Sequence, residues 1–233
     1  MSVSGGATRR SVAKSKDMSG LKVVVTAGPT QEPIDPVRYI SNRSSGKMGY
    51  ALAASAQRRG AEVTLISGPV ALERPSRVEL VPVVTALDMH EAVMSLAKTV
   101  DVLVMAAAVG DYRVAEPSER KIKRTSKGMS IKLLPNPDIL AAVGLSRGKR
   151  RRPFIVGFAL ETEDLFESAS AKLKRKGCDL LVANLAEQSI GRDASIAYIL
   201  DAEGIVEQPG ELSKEALADR IFDVVIAKMQ EKG

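Results

Sequence analysis

The chain has 233 residues, 34 Lys plus Arg against 28 Asp plus Glu, and a formal net charge of +6. That length suits one α/β domain with a small insertion. A lone cysteine, Cys178, allows no intrachain disulfide and fits a reducing cytoplasm, and a lone histidine, His90, is too few for a His-based metal cluster. His90 lies inside a predicted helix, which argues against a Ser-His-Asp triad. No run nears the roughly 18 apolar residues of a membrane span, and no targeting pattern opens the chain. The basic run RGKRRR at 147–152 reads as a solvated loop or as a nucleic-acid contact. Without Trp and with few aromatics there is no base-stacking platform, so nucleic acid and membrane are both set aside as partners. An enzyme that gathers several anions accounts for the excess of cations.

Residues 1–19 are polar and basic and are expected to be a disordered tail or linker ahead of one domain over 20–233. The apolar, β-branched run Leu21–Thr26 predicts a strand covered on both faces. A long polar loop follows, then a helix Gly46–Arg59 opened by a Gly-rich turn and a strand Glu62–Ile66. Free amides and the positive dipole end at that helix start make an anion site, yet GxGxxG is absent and Gly46-Lys47 precedes Met48, not the Ser or Thr of a Walker loop. Next come strand Glu79–Val83, helix Ala86–Lys98 and strand Asp101–Ala106. The charged stretch 111–135 breaks the rhythm and reads as a hairpin or flap. The pattern resumes with helix Pro137–Val143, strand Phe154–Ala159, helix Asp164–Lys176 and strand Asp179–Ala183. A hairpin pair, Ser195–Leu200 and Gly204–Glu207, precedes an amphipathic helix Ser213–Met229. Such alternation predicts an α/β, Rossmann-like, mostly parallel sheet with helices on both faces and a flap insertion.

Ligands in such sheets bind beyond the carboxyl ends of the strands. Four segments fall there. Gly28-Pro29-Thr30 leads into the long first loop, and AAVGDYR at 107–113 offers small residues and the carboxylate of Asp111, which either caps a turn or faces a ligand. LLPNPDIL at 133–140 starts a helix, with Asn136 as N-cap and Pro137 at the first helical position; those amides either close the helix or meet a phosphate or a base. In IVGFALETED at 155–164, Phe158 is either core or a flank for a base. KIKR at 121–124 in the flap, and Lys172 and Lys176 at i, i+4 spacing, add point charges suited to phosphate oxygens.

AGPTxEPxDPVRxISNxSSGKMG, AAVxDYR, KIK, NPDIL, VGFAxET and a K-x3-K helix before DLLVAN occur in this order. In that order they resemble the bacterial phosphopantothenoylcysteine synthetases of coenzyme A biosynthesis over about residues 21–230. The resemblance implies a CTP-dependent ligase. CTP activates the phosphopantothenate carboxylate as an acyl-cytidylate with release of pyrophosphate, and the amino group of L-cysteine then displaces CMP. It implies Mg²⁺ as the accompanying ion, with no metal ligand assigned. Lys121 is then the flap lysine that forms and turns over the acyl-cytidylate, and Asn42 engages the activated acyl group. Ala107, Ala108, Asp111, Pro137, Asp138, Ile139, Leu140, Phe158, Lys172 and Lys176 are nucleotide contacts, and Arg38 lies toward the phosphopantothenate end. A homodimer with shared active sites is implied, the loop of Asn42 reaching the partner's site. So is either a free-standing synthetase or a domain from a fusion with a flavin-dependent decarboxylase. Gly110 departs from the more usual Ala or Ser without removing a chemical group.

A nicotinamide-nucleotide-dependent reductase on the same architecture is the alternative reading. The missing GxGxxG and the absence of a Tyr-x-x-x-Lys dyad weigh against it.

Overall fold

A computed structural model describes residues 16–126, 128–161, 171, 173–185 and 194–231. In chain order the elements are β1 (Lys22–Ala27), β2 (Gln31–Pro33), β3 (Tyr39–Ser41), α1 (Lys47–Arg58), β4 (Glu62–Ser67), β5 (Glu79–Pro82) and α2 (Ala86–Leu96). They continue with β6 (Val102–Met105), β7 (Tyr112–Val114), β8 (Leu133–Pro135), α3 (Ile139–Arg147), β9 (Phe154–Glu161) and β10 (Leu180–Leu185). β11 (Ala194–Asp201), β12 (Gly204–Glu207), β13 (Glu211–Ser213) and the C-terminal helix α4 (Lys214–Glu231) complete the described chain.

The main sheet runs β12-β11-β10-β9-β6-β1-β4-β5, with β13 paired to β11. From β10 to β5 all pairings are parallel, and β11 and β12 close one side as an antiparallel pair. The expected Rossmann-like architecture is therefore present. β1 earns its central place through composition: Val23, Val24, Val25 and Ala27 are all buried, as a strand between two helical layers requires. Leu52 of α1 and Leu217 and Phe222 of α4 fill one face of the sheet. Met89 and Val93 of α2 and Val143 of α3 fill the other. α2 is held at its start by a capping box between Thr85 and Asp88.

Two features depart from the sequence reading, and one expected element is described only in part. The long first loop contains a short hairpin, β2 paired antiparallel with β3. Residues 16–19, assigned above to a disordered tail, instead form a turn whose Met18 is fully buried. Arg59 holds that turn: its Nε donates to Asp17 Oδ1 at 2.9 Å and its carbonyl accepts Met18 N–H at 3.1 Å, while Nη1 reaches Asp223 Oδ1 at 2.8 Å on α4. Finally, the helix expected over Asp164–Lys176 is described only at its C-terminal end, where 173–176 are helical; residues 162–170 and 172 lie outside the described residues.

The carboxyl ends of β1, β6 and β9 lie side by side, because β6 pairs with both neighbours in parallel. This places the loops after Ala27 and Met105 and the end of β9 along one sheet edge. α1 approaches that edge closely. A side chain on Gly49 would lie 2.5 Å from Ala27 Cβ, so only glycine lets the first helical turn rest on the strand end. Gly46, at φ 78°, makes the left-handed turn into the helix.

Candidate functional site at the carboxyl edge of the sheet

The segment after β6 is fixed from both sides. An isolated parallel bridge joins Pro29 to Ala108, and Ala108 N–H donates to Gly28 O at 2.9 Å. The fully buried Thr30 accepts Gly110 N–H through Oγ1 at 2.9 Å. From the far end of the β2–β3 hairpin, Asn42 donates through Nδ2 to Ala108 O at 3.0 Å and Val109 O at 3.2 Å. Asn42 thus meets Ala108 within its own chain. Those bonds leave the carboxamide oxygen as the acceptor end of an exposed side chain.

The helix start at 136–140 differs from expectation in its register. Asn136 is not the N-cap: its Nδ2 donates to Gly110 O at 2.8 Å, and its N–H donates to Asp111 O at 2.8 Å. Pro137 therefore stays outside the helix. Asp138 caps it two residues later, accepting Ala141 N–H at 3.1 Å. The same carboxylate pairs with the ammonium of Lys176. Burial pushes the Asp138 carboxyl up, but Lys176, the Ala141 amide and the nearby Arg175 charge outweigh it and leave it below the ordinary carboxylate range. Of the two readings that the sequence leaves open for these amides, a carboxylate already closes one of them.

Leu140 leans on β9. A side chain at Gly157 would lie 2.8 Å from Leu140 Cδ2, so the missing Cβ makes room for it. The next residue, Phe158, is partly buried against the core and sits on the same strand end. Asp111, Asn136, Asp138, Leu140 and Lys176 are therefore brought together near the ends of β6 and β9, whereas Phe158 packs on the opposite face of the sheet, the one that α1 and α4 cover. Lys172 lies outside the described residues.

The flap is built on a hairpin, β7 with β8, and KIKR lies in the connection between them. Asp35 and Arg38 sit in the turn between β2 and β3. Arg38 is paired with Asp35 and donates through Nη2 to Ile122 O at 3.0 Å, one residue beyond Lys121. The guanidinium holds the Asp35 carboxyl well below the usual carboxylate range, against the opposing push of burial. Arg38 thus touches the flap one residue past Lys121, while Asn42, at the other end of the hairpin, touches the 107–111 segment that Asn136 also holds.

Four side chains matter here that residue type alone does not single out. Asp35, Thr30, Asn136 and the buried Glu32, whose Oε1 accepts Ala86 N–H at 2.9 Å, all hold loops in place. For Asp35 the available signal is the i, i+3 spacing in Asp-Pro-Val-Arg, a short-range carboxylate–guanidinium pair in a turn. Asn136 is visible in the sequence only as a helix cap.

Two features belong to structure instead of chemistry. Arg147 pairs with Asp179 and donates to Gly177 O at 2.8 Å, and Arg152 pairs with Asp101, so part of the basic run 147–152 is committed to holding loops. Cys178 is buried, and burial pushes its thiol up to about 11. Among the described residues, no three His, Cys, Asp or Glu side chains gather to hold a metal ion. No helix among them is long and apolar enough to cross a membrane.

A parallel sheet with loops, a capped helix start and a cationic flap at its carboxyl edge defines a Rossmann-like ligand-binding domain. The chain belongs to the DNA/pantothenate metabolism flavoprotein C-terminal domain family, which it matches over residues 18–229. It is 44% identical over 222 residues to the coenzyme A biosynthesis bifunctional protein CoaBC of Escherichia coli strain K12, covering 93% of this chain and 54% of that protein. With CoaBC of Mycobacterium bovis it shares 48% identity over 224 residues, 90% of this chain and 53% of that one. The chain thus spans about half the length of these relatives. A crystal structure of the C-terminal domain of a CoaBC protein superposes with a TM-score of 0.79 at 37% identity, covering 93% of this chain and all of that domain.

Proposed function

We propose that this domain is a phosphopantothenate–cysteine ligase of coenzyme A biosynthesis that uses CTP. A carboxylate oxygen of phosphopantothenate attacks the α-phosphorus of CTP, and the bond to pyrophosphate breaks. The amino nitrogen of L-cysteine then attacks the acyl carbon, and CMP leaves with the former carboxylate oxygen. The first step brings a carboxylate against a triphosphate, so its barrier is dominated by repulsion between anions and by the cost of orienting them.

The observation that supports this reading is that Asn42, from the first hairpin, and Asn136, before α3, both bond the 107–111 segment at the end of β6. On one side, Ala107, Ala108, Asp111, Pro137, Asp138, Ile139, Leu140 and Phe158 would contact the nucleotide. Lys176, with Lys172 four residues before it, brings charge to its phosphates. Asp138 fixes the Lys176 ammonium beside the helix start before any ligand arrives, which reduces the reorganisation that binding requires. On the other side, Lys121 stands on the flap to neutralise the charge that develops as pyrophosphate departs. Asn42 meets the activated acyl group through its carboxamide, and Arg38 meets the phosphopantothenate end. Mg²⁺ would arrive on the triphosphate oxygens and supply further charge neutralisation there.

We place the domain in a homodimer whose sites are shared, with the loop of Asn42 bordering the partner's site. The exposed apolar side chains of Val37, Tyr39 and Tyr112 on the two hairpins support this. Fusion to a phosphopantothenoylcysteine decarboxylase is supported by the bifunctional relatives. Pyrophosphate release is the direct test, with phosphopantothenate, cysteine and each nucleoside triphosphate supplied in turn. CTP-supported release that requires phosphopantothenate is expected. No release with CTP, or release indifferent to phosphopantothenate, would overturn the proposal.

A further inference from the structure

Asp35 has no role in the chemistry above, yet it is among the most heavily engaged side chains of the domain. It is 4% exposed and accepts five hydrogen bonds. Two come from its own turn, Val37 N–H and Arg38 N–H, each at 2.9 Å to Oδ1. Two come from the Arg38 guanidinium, through Nε at 3.1 Å and through Nη2, both to Oδ2. The fifth comes from far along the chain: Ile122 N–H donates to Oδ2 at 3.1 Å.

Arg38 Nη2 in turn donates to Ile122 O at 3.0 Å. Both backbone groups of Ile122 are therefore held by one carboxylate–guanidinium pair. Ser118 N–H, earlier in the same connection, donates to Ile34 O at 2.9 Å. The flap is a long connection between three-residue strands, and these bonds pin it beside Lys121 to the β2–β3 turn. A buried carboxylate that accepts a forked guanidinium and three backbone amides is a stiff support, although the Arg38 side chain itself is half-exposed.

We propose that Asp35 is the positioning residue for Lys121: through Ile122 and Arg38 it fixes the flap backbone from which that lysine projects. This rests on the ligase reading, since Lys121 must have a reaction to serve. The geometry makes Asp35, Arg38 and Lys121 one mechanical unit, in which the carboxylate acts on substrate only through the two cations. Arg38 then has two duties, to face an anion and to hold the flap.

The test uses Asp35→Asn, which keeps the side chain's shape and removes its charge. Single-turnover formation of the acyl-cytidylate at saturating CTP and phosphopantothenate should slow about 10- to 100-fold, the range expected when a catalytic group is displaced by about 1 Å. In a Lys121→Gln background the same change should cost no more than about 2-fold, because coupled residues are not additive. An undiminished effect in that background would overturn the proposal, as would wild-type rate in the single variant. Hydrogen exchange gives a second arm that needs no catalysis. Ile122 N–H should be protected in the wild-type domain and lose that protection in Asp35→Asn, while β1 and β4 keep theirs. Should Asp35→Asn fail to fold, Asp35→Glu, which keeps the charge on a longer arm, must keep Ile122 protected relative to solvent-exposed amides; an unprotected Ile122 in either the wild type or Asp35→Glu would overturn the clamp. Failure of the ligase reading is separate: wild-type protein would then release no pyrophosphate while Ile122 stayed protected.

Discussion

Gly144→Ala offers a quantitative probe of how the nucleotide side of the site is assembled. Gly144 lies in α3, and a Cβ there would stand 2.1 Å from the backbone oxygen of Lys176 and 3.2 Å from Gly177 Cα. Ordinary contact begins at 3.4 Å, so one backbone must retreat by about 1 Å in an interior packed as tightly as a crystal. Neither can do so freely. α3 is tied to this region by Arg147, which donates to Gly177 O at 2.8 Å, and Lys176 is tied to the start of α3 through Asp138. Overpacking of this kind costs about 1–3 kcal/mol, which for a domain of this size lowers Tm by about 2–12 °C. The retreat also pulls Lys176 away from Asp138, so CTP-dependent pyrophosphate release should fall by about 10-fold or more. Thermal unfolding followed by circular dichroism and a coupled pyrophosphate assay read the two effects separately. An unchanged Tm together with wild-type turnover would refute the claim that this glycine pair sets the spacing of the site.

Other perturbations address single residues. Lys121→Gln should slow acyl-cytidylate formation or decay while leaving the unfolding free energy from urea titration within about 0.5 kcal/mol of wild type, because an exposed side chain is removed; normal turnover would refute its role. Asn42→Asp places a carboxylate against the carbonyls of Ala108 and Val109 and beside the acyl phosphate, so the cysteine-dependent step should slow, and an unchanged rate would count against it. Cys178, with its thiol pushed up to about 11 by burial, should resist alkylation at pH 8 in the folded domain and react on unfolding. Its labelling should rise only as pH approaches that value, since the thiolate is the reactive form; rapid labelling of folded protein at pH 8 would contradict the assignment. Cys178→Ser should also retain activity.

The parallel sheet was legible because its strands are short apolar runs such as Val23–Thr26 and Val102–Met105, separated by helices of the right length. The β2–β3 hairpin was not, since QEP and YIS are three residues each and carry no alternation long enough to read. Met18 was hidden for a similar reason: one apolar residue in a polar stretch gives no hint that Arg59 will anchor the turn around it. The start of α3 was misread by two residues because Asn136, Pro137 and Asp138 all suit a helix entry. Asn136 is claimed by the carbonyl of Gly110, a contact spanning 26 residues, and the capping duty passes to Asp138. Asp35 escaped notice because its decisive partner, Ile122, is 87 residues away. Residue chemistry marks which groups meet ligands more readily than it marks which groups hold them still.

On the proposed reading, this sheet edge overcomes the repulsion of two anions and turns the carboxylate of one into a mixed anhydride with the α-phosphate of the other. Phosphopantothenate carrying ¹⁸O in both carboxylate oxygens tests that most directly, with CMP analysed by mass spectrometry after turnover with CTP and cysteine. Each CMP formed should carry one ¹⁸O, transferred when the amine displaces the acyl-cytidylate. CMP formed without the label, or amide formed without CMP, would contradict the account.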